Sequence, residues 1–324
     1  RPTRVVLAMA VVATAVGAGL ASDGRANVST RWTIRDLGTL GGPSSTAVAI
    51  NARGQVAGSS KTASGDTHAF RWANGRMKDL GTLGGRTSKA VAIDDLGEVV
   101  GQSQPKGCDG THAFLWRAGR MIELGTLRLL LADSARDVTA EVTGSNRSGQ
   151  VVGSNRLLPK CSSGYASNSS EFESAFLWTA GRLVDLAPDS VSAHASAIND
   201  RGDVVGSYTV WDENEEDADL HAFLWRRGRL IDLGLLAAGG DPSATWVGTI
   251  NDRGQIVGTV RERAVLWAGA TGKVLGTLGG PSSAVDIDES GTVVGASKAV
   301  GGVAHPVRWV AGVVEDLGLL PGDR

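Results

Sequence analysis

Four histidines, His68, His112, His221 and His305, and the aspartates of a recurring Asp-Leu-Gly element, Asp36, Asp79, Asp232 and Asp316, have the widest chemical repertoire in this chain. Imidazole and carboxylate side chains can supply acid–base catalysis or metal ligands. The spacing points elsewhere. Each group recurs once per repeat, so its members are expected to stand apart around an array instead of converging on a metal. They read as structural residues: a half-buried imidazole needs a hydrogen-bond partner, and a carboxylate caps turn amides. His194 lies outside that slot, alone. No Gly-x-Ser-x-Gly elbow, His-Glu-x-x-His helix or phosphate loop occurs, so no catalytic residue, metal or cofactor is expected. Gly41-Gly42, Gly84-Gly85 and Gly279-Gly280 precede no helix that would hold a phosphate. A carboxylate pair for glycoside chemistry depends on spatial pairing, and nothing marks two acids in particular.

A second set of residues departs from the repeat. Tyr165, Phe172, Tyr208, Trp211, Asp212, Glu215, Glu216 and Asp217 fall in segments of variable length between the second and third strands of a repeat. Irregular loops on one face of a rigid scaffold are where binding concentrates, so these are the candidate ligand-binding residues. The acidic run at 212–219 lacks the Gly-turned spacing of a Ca²⁺ loop. Cys108 and Cys161 fall in the same variable segment of consecutive repeats, which predicts a disulfide between adjacent units contributing ~2–4 kcal/mol.

The elements that must carry these residues are hairpins. In His221-Ala222-Phe223-Leu224-Trp225 the aromatic rings alternate onto one face, Gly228 closes a turn, and a second strand runs into Asp232-Leu233-Gly234. The anchoring tryptophans are Trp72, Trp116, Trp178, Trp225, Trp267 and Trp309, separated by 44, 62, 47, 42 and 42 residues. Each repeat also holds an earlier hairpin, turned at Asn51–Gly54 and its counterparts. Four short strands and one Trp per repeat predict an all-β protein, a β-propeller of six four-stranded blades. Small residues such as Ala47, Ala49, Ala90, Ala92, Ala195 and Ala197 would crowd the axis, with the Phe-Trp face wedged between blades. The unpaired strand at 32–40 is expected to close the ring against the last blade. A β-solenoid fits less well, because antiparallel turns do not read as parallel coils.

Among 324 residues, 42% are hydrophobic, and nine of the sixteen aromatic residues are Trp. A net charge of −2 gives no reason to expect nucleic acid as partner. Arg1 and Arg4 precede an apolar run, Val5 to Leu20, and Gly19-Leu20-Ala21 offers a cleavage site. Residues 1–21 therefore read as a signal peptide, with an uncleaved anchor as the other reading. Residues 22–30 are a lead-in and 31–324 one propeller domain. No membrane span is expected after cleavage.

The His-Ala-Phe tripeptides at 68–70, 112–114 and 221–223, with Asp-Leu-Gly-Thr-Leu-Gly-Gly and Ile-Asn-x-x-Gly, resemble the HAF-repeat family of extracellular proteins. Repeat three departs most, with Ser174 for His and Ala187 for Gly. The resemblance implies export and a repeat fold, and no defined reaction. The function expected is a secreted or cell-surface, non-enzymatic scaffold that binds a protein or cell-wall glycan through loops on one face. The alternatives are an extracellular polysaccharide hydrolase or lyase using loop carboxylates, and a structural envelope protein.

Overall fold

The computed structural model describes residues 35–107, 110–125, 136–159, 173–190, 192–211, 218–237, 246–269 and 271–319. All its regular structure is β. The described residues form six successive antiparallel meanders of four strands, here units one to six, at 41–79, 84–123, 136–185, 193–237, 246–274 and 279–316. In unit one the strands are Gly41–Ile50, Val56–Thr62, Thr67–Ala73 and Arg76–Asp79. A parallel bridge from Thr67 to Thr87 joins units one and two into one eight-stranded sheet. No helix among the described residues is long and apolar enough to cross a membrane.

Turn chemistry sets both hairpins of a unit. In the first, Asn51 Oδ1 accepts the amides of Arg53 (3.0 Å) and Gln55 (2.9 Å), while Gly54 takes a φ of 70°. In the second, both turn residues have positive φ: Asn74-Gly75, Ala118-Gly119, Ala180-Gly181, Arg227-Gly228 and Ala311-Gly312. That is the twist-matched two-residue turn of a tight hairpin.

The first turns also stitch neighbouring units. Asn51 Nδ2 donates to the Asp94 carbonyl (2.7 Å), and Asp95 Oδ1 accepts the Ala52 amide (2.9 Å). The pattern repeats from Asn146 to Asn199 (3.0 Å), Asn199 to Asn251 (3.0 Å) and Asn251 to Asp288 (2.9 Å). Residues of the inner turns, unlike the repeated histidines, do not stand apart. Asp95, Arg147 and Asp200 line one cavity of about 320 Å³, and Arg147 reaches Asp200 at 3.2 Å and Asp95 at 3.6 Å. The inner turns of successive units lie close together, so side chains one repeat apart can touch there.

Packing is the same at each of the five junctions. Ala57, Ala69 and Leu80 of unit one meet Ala90, Val99, Phe114 and Trp116 of unit two. Val152, Ala175, Leu177 and Leu186 of unit three meet Ala195, Val204 and Phe223 of unit four. The aromatic face is thus a wedge against the preceding unit, as the alternating Phe and Trp imply. Small residues opposite it let the sheets approach.

The two ends of the array differ from its middle. Leu37 and Leu40 of the N-terminal segment pack on Val56, Phe70 and Trp72, and the Arg35 guanidinium lies 4.9 Å from the Trp72 ring. The described part of the expected closing strand therefore covers unit one. Unit six has its own fourth strand, Val313–Asp316, and among the described residues its sheet gains no pairing from that segment. Val294 and Leu317 are 42% and 54% exposed, whereas their counterparts in the other units, such as Val205 and Leu233, are buried.

Candidate functional site

The repeated histidines pair inside their own units. His68 Nδ1 lies 2.8 Å from Asp79, His112 Nδ1 2.6 Å from Glu123, and His221 and His305 Nδ1 2.9 Å from Asp232 and Asp316. The same aspartates accept the amide two residues on, Gly81, Gly234 and Gly318, each at 2.8 Å. Third-strand His and fourth-strand Asp face each other because Phe and Asp are register partners, as Phe223 is with Asp232. The Gly318 amide holds the Asp316 carboxyl below its ordinary value, outweighing the opposing effect of burial, and His305 adds a smaller lowering effect. The Ser290 hydroxyl and then the Thr292 amide do the same for Asp288. A depressed carboxylate pKa stabilises the fold above the unfolded value, and that stability is lost as pH falls through the folded one. The thermal midpoint should hold down to about pH 4 and fall below it. Asp288→Asn, the residue that four of the other five units use in this turn, should soften the fall. An unchanged acid limb in that variant would remove Asp288 from the account.

Tyr208 is half-buried in unit four, edge-on to His221 (5.8 Å between centroids) and Phe223 (6.1 Å). Burial raises its hydroxyl pKa, and the Asp232 charge and hydrogen bond add to the rise. Trp211 ends the strand Val204–Trp211, which pairs with Ala218–Arg226. Much of the segment read as loop is thus a longer hairpin, consistent with its β-favouring run Tyr208-Thr209-Val210-Trp211. Tyr165, Phe172, Asp212, Glu215, Glu216 and Asp217 lie outside the described residues, as do Cys108, Cys161 and the signal segment 1–21. Among the described residues no three His, Cys, Asp or Glu side chains gather as a metal site.

The concave sites lie between units. One cleft of about 290 Å³ is lined by Trp246, Thr259 and Glu262 of unit five and by Pro281, Ser283, Ala296, Lys298 and Ala304 among residues of unit six. A second, of about 210 Å³, is lined by Gln102 and Thr111 of unit two and by Thr139, Ala140, Glu141, Ser154, Arg156 and Glu173 of unit three. The registers make these the same place in the repeat. Ser283 pairs with Ala296, and Lys298 with Ala304; Glu141 pairs with Ser154, and Arg156 with Glu173. The same backbone bond floors both: Ser282 N to Glu262 O at 2.8 Å, and Ala140 N to Thr111 O at 2.7 Å. At two other junctions a parallel bridge occupies this position, Thr67 to Thr87 and Glu173 to Ser192.

The cleft between units five and six owes its shape to two local departures from the repeat. Its rim is the two-residue turn Arg261-Glu262, with φ of 47° and 61°, which joins Gln255–Val260 to Arg263–Ala268. Two non-glycine residues in the left-handed region are costly, and such strain marks functional positions. Trp246 stands where other units carry Thr46, Lys89, Glu141, His194 and Ser283. Its ring lies over Gly248, at which a Cβ would come within 2.7 Å of it, and the residue remains 39% exposed. Thr259 is 4% exposed, and among the described residues its hydroxyl has no hydrogen-bond partner. An aromatic face, a carboxylate, an ammonium and a buried hydroxyl therefore share one cleft. Sequence reading passed over Trp246; the signal was the joint departure of Trp246 and Gly248 from the repeat.

The cleft between units two and three is more polar. Ser154 Oγ lies 2.7 Å from His194 Nδ1, which lies 3.4 Å from Glu173 Oε1. Arg156 lies 3.7 Å from Glu173. Burial alone would raise the Glu173 carboxyl, but His194 and then Arg156 and Ser154 bring it below its ordinary value. Serine and carboxylate both meet Nδ1, whereas a nucleophilic triad uses opposite nitrogens of the ring. The geometry is that of a charged pocket.

No protein-family model matches the chain, and no curated protein does. Among solved structures, the chain is similar to the β-propeller domain of the Trilobed protease from Pyrococcus furiosus. The identity is 11%, covering 91% of this chain and 85% of that one, with a TM-score of 0.51. The acylaminoacyl peptidase of Pyrococcus horikoshii aligns at 10% identity over 91% of this chain and 47% of its own, TM-score 0.49. The six-bladed fungal lectin of Aleuria aurantia aligns at 13% over 88% and 100%, TM-score 0.36. With its meanders of four antiparallel strands, the protein has an all-β, β-propeller fold.

Proposed function

We propose that this protein is an exported, non-enzymatic glycan-binding scaffold of the HAF-repeat type, and that the cleft between units five and six holds the sugar. The observation that carries this reading is the grouping of Trp246, Glu262, Lys298 and the unpartnered Thr259 hydroxyl in one open cleft. A pyranose presents an apolar C–H face suited to stacking on an indole and a rim of hydroxyls suited to alternating donors and acceptors. Glu262 accepts, Lys298 donates, and Thr259 does either. The strained turn at Arg261-Glu262 holds the acid at the rim before any ligand arrives, which lowers the cost of ordering it.

The test is binding of the protein to insoluble cell-wall and polysaccharide fractions, with the supernatant followed by mass spectrometry. Retention without released fragments is the expected result. Trp246→Ala should weaken retention at least about tenfold, or about 1.4 kcal/mol, while leaving the thermal midpoint nearly unchanged. Fragments accumulating with time would replace the scaffold reading with a polysaccharide hydrolase or lyase.

A further inference from the structure

The cleft between units two and three sits at the same repeat position as the proposed sugar site, yet its lining chemistry is different. Resting on the saccharide reading of that position, we propose that it is a second, independent sugar site that selects a ring bearing an ammonium group. The protein is then bivalent, with one site that takes either ring and one that requires the ammonium group.

Five substitutions between equivalent positions carry the distinction. Arg156 stands where unit six has Lys298, so both clefts keep a cation at that strand position. Glu141 replaces Ser283 and Glu173 replaces Ala304, while Thr111 stands where unit five has Glu262, so the second cleft holds two carboxylates against one in the first. Gln102 replaces Thr259, and its Nε2 donates to the Val142 carbonyl at 3.3 Å, directing its amide toward unit three. No aromatic residue lines this cleft, so a ring held there is selected by charge and hydrogen bonds instead of stacking.

The placement of charge favours a cationic ligand. Glu173 is already paired with His194 and Arg156, which leaves Glu141 as the lining carboxylate with no ion pair among the described residues, and the Arg156 Nε is buried without a hydrogen-bond partner among them. Glu141 is exposed at the mouth, where a carboxylate pairs readily with an incoming ammonium. Arg156 Nε is left to donate to a ring or hydroxyl oxygen. At about 210 Å³ the cleft has room for one sugar ring.

The measurement is isothermal titration of the full chain, at about pH 6 where the amine is protonated, with a glucosamine tetramer and its fully N-acetylated counterpart. Acetylation removes the charge and leaves the ring. Wild-type protein should bind the amine form at two sites and the acetylated form at one. Trp246→Ala should keep the amine-specific site and lose the other. Glu141→Gln should weaken the amine-specific site about tenfold and leave the other untouched. One site for both ligands, lost in Trp246→Ala, would overturn this proposal and leave the first cleft standing. Amine-specific binding indifferent to Glu141→Gln would also overturn it. Binding lost in Glu141→Gln but unaffected by Trp246→Ala would uphold it and count against the site between units five and six.

Discussion

Gly206→Ala should destabilise the protein by about 3 kcal/mol, read as a large drop in the midpoint of urea or thermal unfolding. The cause is space, because Gly206 does not have positive φ. In the first strand of unit four a bulge lies between Ala195 and Ala197, and it turns the His194 carbonyl toward Gly206. A Cβ on Gly206 would overlap that oxygen and lie 2.7 and 2.8 Å from two carbons of the Phe223 ring. Backbone blocks one side and a fully buried ring the other, so neither can yield cheaply. The same arrangement recurs at Gly58, Gly101, Gly153, Gly258 and Gly295, each facing the carbonyl of a bulged first strand. Gly228→Ala is the contrast: nothing lies within 4 Å of its Cβ, but its φ is 80°, so the cost should be only about 1 kcal/mol. Equal losses from the two variants would show that close packing at Gly206 is not what requires glycine.

Phe223→Ala is expected to cost about 3–5 kcal/mol and to lower yield of folded protein before it alters ligand binding. Phe223 is fully buried, sits over Gly206, and meets Val152, Ala175 and Leu177 of the preceding unit. Removing it leaves a cavity bounded by two sheets that are each held by their own ladders, so collapse around the gap is restricted. Trp225, two residues on, is only half-buried at the edge of the same cluster, and Trp225→Ala should cost less. Trp309 is fully buried, with Nε1 donating to the Gly276 carbonyl at 2.7 Å. Its replacement by alanine should therefore resemble the Phe223 variant. If Trp225→Ala proved the most damaging of the three, the wedge would be the indole and not the phenyl ring. Chemical denaturation of the three variants side by side decides this.

Much of the architecture was legible in local chemistry. Period-two alternation in His-Ala-Phe-x-Trp, the Asn-x-x-Gly turns and the Gly at each second hairpin are short-range signals, and each fixes a strand or turn without help from distant residues. The all-β fold follows from them, because strands with one apolar face and small residues on the other must stack. Other features required the units to be placed side by side. Nothing in the sequence announced that Asp95, Arg147 and Asp200 would share a cavity, since contact between inner turns depends on how tightly the units pack about one axis. The two clefts are of that kind. Trp246, Glu262 and Lys298 come from two strands and a turn in two units, and Glu141, Arg156 and Glu173 of unit three meet through strand register and face Gln102 and Thr111 of unit two only through the junction. Sequence alone determined what each unit is and which face it must bury. Only the tertiary structure decided which junctions stay open and what chemistry their walls present, because a cleft between repeats belongs to neither repeat alone.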